Sequence, residues 1–349
     1  MKKLSLIFIF AFILILQGCF NKVGINEFLL VTSFALEYEE ENSVFRITAF
    51  YPSNADIGKT DNNRGFQYGL IITEHRNLAM LFEELERSVD QKVELRHIQS
   101  VILHESFMNE RNIATFLEFI RLTSRIPNNF FVFFTSEDIE EIYDTRNPDE
   151  YSMFHSIFNN PRSNRYAAFG LSGIHFINFA LMFHQSYSDL ILPKIEIGEA
   201  RISQAGEEFN TAAIQRQCFI GESIKCYHME EHKALFFLEN RQTIIMPIDD
   251  VTLRLSNYRY NLRIERNVFV INIRAHVIPL INIENHPMTF LIEKLKEEMS
   301  RHFNELIELG IRDGFDFFGF RRILFQRHMD YTRLDYRDIE LRINFNFRG

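Results

Sequence analysis

Near the C-terminus apolar and polar positions alternate with a period of two. Tyr258, Tyr260, Leu262 and Ile264 alternate with Arg259, Asn261, Arg263 and Glu265, and Phe269, Ile271, Ile273, Ala275 and Val277 resume the pattern after a turn at Arg266-Asn267. Alternation of this kind puts one strand face on a core and the other in water. Between this pair and a final alternating run (Ile339, Leu341, Ile343, Phe345, Phe347), Pro287 opens a helix in which Leu291, Leu295, Met299, Phe303 and Leu306 recur at helical spacing. The expected unit is a half-buried antiparallel sheet backed by one long helix.

The first half of the chain switches period repeatedly. Phe28 to Tyr38 and Val44 to Tyr51 read as strands around the acidic turn Glu39-Glu40-Glu41-Asn42, and a polar loop from Ser53 to Arg64 separates them from a strand at Gly69 to Thr73. Asn77 caps a helix with Leu78, Leu81, Phe82, Leu85 and Val89 on one face. A strand at Ile98 to Leu103 follows, flanked by His97 and His104, which at odd separation on one strand face opposite sides. Ile113, Phe116, Leu117 and Ile120 mark a second helix, Phe130 to Phe134 a buried strand, and Ser136 caps Glu137 to Tyr143. Alternating strands and helices argue an α/β layer. The run Phe169 to Gln185 is apolar but short and holds His175, Asn178 and His184, so a buried or amphipathic helix is expected rather than a membrane span.

Beyond Pro193 the pattern turns to strands at Ala212 to Ile220, Ile224 to Tyr227 and Thr243 to Met246. The fold class read from these patterns is α/β (α+β): three sequential domains, each a mixed or antiparallel sheet with packed helices. Their expected bounds are an N-terminal α/β domain at 19–196, a small middle domain at 197–255, and the sheet-plus-helix domain at 256–349. Residues 1–18 are read as a leader.

That leader opens with Met1-Lys2-Lys3 and continues as an uncharged apolar stretch from Leu4 to Leu16. The stretch is shorter than the roughly 20 residues a stable spanning helix needs, which is the pattern of a secretory signal. It ends in Leu16-Gln17-Gly18-Cys19, which resembles the bacterial lipobox. The thiol of Cys19 would accept diacylglycerol as a thioether, small Gly18 would admit the signal peptidase, and two acyl chains would hold the mature protein on a membrane. Everything after Cys19 is then expected outside the cytoplasm. Removing residues 1–18 takes two lysines and no acid from 38 basic and 47 acidic residues, leaving −11. That balance repels nucleic acid and anionic headgroups, and neither is expected as a partner.

Chemistry-bearing motifs are few. The chain has no Walker loop, no G-x-S-x-G, no G-x-G-x-x-G and no EF-hand loop. His228-Met229-Glu230-Glu231-His232 matches H-x-x-E-H, an inverted zinc-protease pattern, but His228 continues the strand ending at Tyr227, so the two imidazoles do not share a helix face. No catalytic residue, metal or cofactor is expected. Cys218 and Cys226 flank a hairpin turn: a two-residue loop places them on opposite faces, a three-residue loop directly across from each other. Two buried thiols are the favoured expectation.

In sequence order, several short motifs resemble one family. Cys19-Phe20-Asn21 with Leu29 to Leu36, Arg96-His97-Ile98-Gln99-Ser100-Val101-Ile102-Leu103-His104-Glu105, Leu192-Pro193-Lys194-Ile195, Cys218-Phe219 through Glu231, and Asp316-Phe317-Phe318-Gly319-Phe320 are similar to the elements of the Ger(x)C lipoproteins, the C subunits of spore germinant receptors. Arg96 and Cys226 stand where that family commonly has Gly. The resemblance implies a three-domain α/β lipoprotein, lipidated at Cys19, on the extracytoplasmic face of the inner spore membrane. It also implies two membrane-embedded receptor subunits as partners, and an assembly role without catalysis. The alternative expectation is a solute-binding lipoprotein of a transporter, which would show two similar lobes around a cleft.

Overall fold

The computed structural model describes residues 27–52, 68–145, 174–185, 189–198, 201–202, 208–209, 212–221, 223–228, 234–238, 243–248, 251–266, 268–281, 286–332 and 334–348. A short strand β1 (Phe28–Leu30) leads into the hairpin β2 (Ser33–Glu39) and β3 (Val44–Pro52), and β4 (Tyr68–His75) lies antiparallel to β3. Helix α1 (Leu78–Arg87) starts where expected: the Asn77 side chain accepts the Ala79 N–H, and Leu78, Leu81, Phe82 and Leu85 are buried. β5 (Lys92–Glu94) pairs with β1, then β6 (Ser100–His104) lies parallel to β2. Helix α2 (Glu110–Leu122) is capped by Asn109, and β7 (Phe131–Thr135) lies parallel to β6.

Helix α3 (Ile139–Asp144) starts later than the sequence reading placed it. Asp138, not Ser136, is its cap, accepting the N–H groups of Glu140 and Glu141. The packing frame explains this, because Ile139, Ile142 and Tyr143 must share the face that meets Phe50, Ile102 and Phe133. Next come β8 (Ile174–His175), α4 (Phe176–His184), β9 (Leu190–Ile197), β10 (Arg201–Ile202), β11 (Glu208–Phe209), β12 (Ala212–Ile220) and β13 (Ile224–His228).

One nine-stranded sheet gathers most of these strands, in the order β13-β12-β9-β7-β6-β2-β3-β4, with β8 against β7. Its centre (β9, β7, β6, β2) is parallel and both flanks are antiparallel. Alternate residues of the central strands feed two cores. Phe34, Leu36, Val101, Leu103, Val132 and Phe134 meet α1 and α2 on one side, while Ala35, Ile102, Phe133 and Ile195 meet α3 on the other. Burial on both faces is why these strands read as continuous apolar runs. His97 is not on β6. It occupies an exposed turn closed by Ile98 N–H to the Leu95 carbonyl, whereas His104 ends the strand half-buried.

After α5 (Ala234–Phe237), strands β14 (Thr243–Ile248), β15 (Val251–Glu265) and β16 (Val268–Ile281) form an antiparallel meander, and α6 (Met288–Asp313), α7 (Phe320–Gln326) and β17 (Leu341–Arg348) complete the chain. The four strands stand in the order β14-β15-β16-β17. β17 runs parallel to β16, which corrects the expectation of a purely antiparallel sheet. The long helix is the reason: it carries the chain back along the sheet, so the next strand re-enters in the direction of β16. Midway along β15 a bulge at Ser256/Arg259, with Asn257 at φ 53°, shifts the alternation by one residue. Val251, Leu253 and Leu255 before it and Tyr258 and Leu262 after it therefore all face α6. Residues of the expected middle domain thus enter both sheets, 212–228 the large one and 243–248 the small one.

Candidate functional site

The long helix α6 ends at Gly314, whose left-handed φ of 78° lets its N–H return to the Gly310 carbonyl at 2.9 Å. Two residues on, the Asp316 carboxylate begins the next helix. It accepts the N–H of Phe320 at 2.9 Å and of Arg321 at 2.7 Å, and also the Tyr336 hydroxyl at 2.7 Å. Gly319, at φ 73°, turns the chain so that both amides point at that carboxylate. Between the caps, the aromatic residues divide by parity. Phe315 and Phe317 pack on Phe219 at 5.6 and 4.6 Å between ring centroids, while Phe318 stacks on Phe320 at 5.0 Å within the C-terminal core.

Phe219 belongs to the large sheet, so this segment is a junction. Hairpin β12–β13 has two working faces. Cys218 and Ile220 complete the core under α1 and α2, whereas Phe219 and Tyr227 enter the core of the C-terminal sheet. Polar contacts reinforce the seam. The Asp316 N–H donates to Asp189 Oδ2 at 2.6 Å, and the Arg321 guanidinium reaches Asp189 Oδ1 at 3.3 Å. Asp313 receives the Lys225 ammonium at 2.7 Å, the Tyr227 hydroxyl at 2.6 Å and a two-pronged contact from Arg312 at 2.8 and 3.0 Å.

Protonation follows from these surroundings. Burial raises the Asp189 carboxyl, against the Asp316 amide and Arg321, which favour its charged form. Asp313 is held well below the usual carboxylate range by the Arg312 guanidinium first, with Lys225 and Tyr227 adding to it. The Tyr336 phenol is pushed up by burial and by its acceptor Asp316. Each carboxylate spends its lone pairs on donors of the chain itself. What this arrangement supplies is attachment: it ties the two sheets together.

Of the residues singled out in the sequence, Cys19 lies outside the described residues, as do His232 and the loop from Ser53 to Arg64. His228 ends β13 in a half-buried position. Among the described residues no three His, Cys, Asp or Glu side chains converge as a metal-binding group. The expectation of two thiols is overturned: Cys218 and Cys226 are joined by a disulfide. Their hairpin has the three-residue loop 221–223, so Cys218 stands directly across from Cys226. Arg96, where a glycine would be common, needs no special backbone. Its guanidinium grips Glu94 two-pronged at 2.9 and 2.6 Å, and this pairing, chiefly, draws the Glu94 carboxyl down to about 2.

The sequence reading missed Asp189, Lys225, Asp313, Arg321 and Tyr336 as a set. The local part was within reach, since a glycine three residues after an aspartate and just before a helical run is a cap signature. The partners at 189 and 225 have no signal at short range.

The family described as "Spore germination protein N-terminal domain" matches residues 21–197. Among solved structures, the crystal structure of the GerBC protein is similar over 90% of this chain and 96% of its own, with a TM-score of 0.52 at 12% identity, a likeness of fold. No curated protein sequence matches the chain at a significant level.

Proposed function

The chain belongs to the Ger(x)C family of spore germination proteins, and from that premise we propose that it is a lipid-anchored subunit of a nutrient germinant receptor on the extracytoplasmic face of the inner spore membrane. In this reading residues 1–18 are removed, Cys19 carries diacylglycerol, and the mature chain assembles with two membrane-embedded subunits.

One observation carries the proposal. The family match begins at residue 21, two positions after the cysteine that closes the lipobox-like sequence. The acceptor thiol therefore sits where a short tether would hold the first sheet against the bilayer, since eight residues of extended chain reach about 26–29 Å. The Cys218–Cys226 disulfide supports an oxidising compartment. The described residues hold no helix long and apolar enough to cross a membrane, so attachment would fall to the acyl chains. An assembly role without catalysis is supported by the junction, whose carboxylates act as helix caps and clamps.

Replacing Cys19 with Ala is the test. Spores carrying that variant should lose the protein from the membrane fraction and respond weakly to nutrients. Membrane retention and a normal nutrient response would sink the anchor.

A further inference from the structure

Whole-chain charge conceals a local one. On the outer face of the C-terminal sheet, away from α6, six arginines project from three adjacent strands: Arg254, Arg259 and Arg263 on β15, Arg274 on β16, and Arg342 and Arg348 on β17. All six are exposed. The register sets them in cross-strand rows: Arg254 beside Ile278, Arg259 beside Arg274, Arg263 and Arg342 either side of Val270, and Arg348 beside His276. Asn261, Asn272 and Asn344 form a polar row between them, with Asn344 donating to Asn272 at 3.1 Å. Five rows at strand spacing cover a patch of about 27 by 14 Å.

Among the described residues one carboxylate answers this charge. Glu265 pairs with Arg263. Among the described residues none lies within 4.0 Å of Arg254, Arg259, Arg274, Arg342 or Arg348. Like charges directly opposite, as at Arg259 and Arg274, oppose sheet formation. Every cation on the face is Arg and none is Lys, the choice that suits two-pronged recognition of phosphate oxygens. At one end, Ile245 and Ile278 flank Arg254 and are 50% and 43% exposed. Basic groups beside exposed aliphatic ones make a surface that meets headgroups and the outer edge of the acyl layer together.

We propose that this arginine face docks on the phosphate headgroups of an anionic bilayer, orienting the C-terminal unit with its sheet toward the membrane. Charge complementarity selects the occupant. The rest of a chain of net charge −9 is more acidic still, so a negative surface attracts this face and repels the body. The inference needs no acyl chain, and its test stands apart from that of the anchor.

All described elements lie between residues 27 and 348, so the chain from residue 20 onward contains the whole described fold. This protein should float with vesicles of phosphatidylcholine mixed with phosphatidylglycerol, remain behind with pure phosphatidylcholine, and be released by high salt. The triple variant Arg259→Gln, Arg274→Gln, Arg342→Gln should bind on the order of 100-fold more weakly. Arg→Lys at the same three positions, which preserves the charge but not the two-pronged geometry, should bind more tightly than the Gln triple and more weakly than the parent. A charge-matched control on the N-terminal unit, Arg76→Gln with Arg111→Gln and Arg121→Gln, should bind as the parent does. Equal losses in the two Gln triples, equal binding to neutral vesicles, or capture by polyglutamate or nucleic acid with none by anionic vesicles would each overturn the proposal.

Discussion

The backbone N–H of Asp316 donates to the carboxylate of Asp189 at 2.6 Å, joining residues 127 apart in sequence. Asp189 leads into β9 of the large sheet, and Asp316 caps α7 behind the small one, so this bond and the Arg321 contact beside it tie two cores. Removing the Asp316 carboxylate leaves the Phe320 and Arg321 amides and the Tyr336 hydroxyl without their acceptor. Asp316→Ala should cost about 3–5 kcal/mol, and Asp316→Asn, which retains an acceptor oxygen, about 1–2 kcal/mol. Urea denaturation measures both. Equal midpoints for wild type and Asp316→Ala would show that the Asp316 carboxylate contributes nothing as a cap.

Gly310 faces the Tyr336 ring inside helix α6. An added Cβ would lie 2.5 Å from Tyr336 Cε1, and the ring is held in place by its hydroxyl bond to Asp316. Alanine normally gains about 1 kcal/mol over glycine in a helix interior. Here Gly310→Ala should instead destabilise by about 1–3 kcal/mol. In a Tyr336→Ala background the same change should turn stabilising, and a double-mutant cycle reads the difference.

The Arg96–Glu94 pair gives a pH signature. The folded carboxyl is depressed to about 2 from an ordinary 4.5. Its contribution is therefore complete above the unfolded value and is lost as pH falls from about 4.5 toward 2. Arg96→Ala should lower stability at pH 7 only slightly, since Arg96 is mostly exposed and solvent screens the pair. The gap between variant and wild type should close as pH drops through that window. A gap of constant size down to pH 2 would rule out the ion pair as its source.

Reducing the Cys218–Cys226 bond opens a loop of separation 8. Loop entropy assigns such a closure about 2–3 kcal/mol. The free energy of unfolding should fall by that amount in dithiothreitol, and the Cys218→Ser, Cys226→Ser variant should be insensitive to it. Alkylation of both thiols in the untreated protein, followed by mass measurement, would contradict the bond.

Elements with a strong internal period were legible in the sequence. Asn77, the apolar faces of α1, α2 and α6, and the long hairpin of β15 and β16 all stand close to where residue spacing placed them, because their signals are local. Three features were not. The cap of α3 moved from Ser136 to Asp138 because packing across the sheet chose the helix frame. The direction of β17 depended on how the long helix returns the chain, and strand alternation is blind to direction. The cysteine pairing depended on a loop length that two adjacent turn residues left open. As for the junction, its caps at Gly314, Asp316 and Gly319 have a readable spacing, but Asp189 and Lys225 join them only through the fold. The arginine face was half visible: Arg259 and Arg263 were read as the wet side of a strand, and only the register brings Arg274 and Arg342 beside them.

The parallel pairing of β17 with β16 also orders events in time. β16 ends at Ile281 and its partner begins at Leu341, so the edge of β16 stays open until β17 has emerged from the ribosome or the translocase. A chain cut short before that point would present a bare strand edge bearing Phe269 and Ile271, the kind of edge that recruits other strands and is sought by proteases. Strand β17 is thus the cover of that edge, and a chain that lacks it carries the exposed edge on its surface.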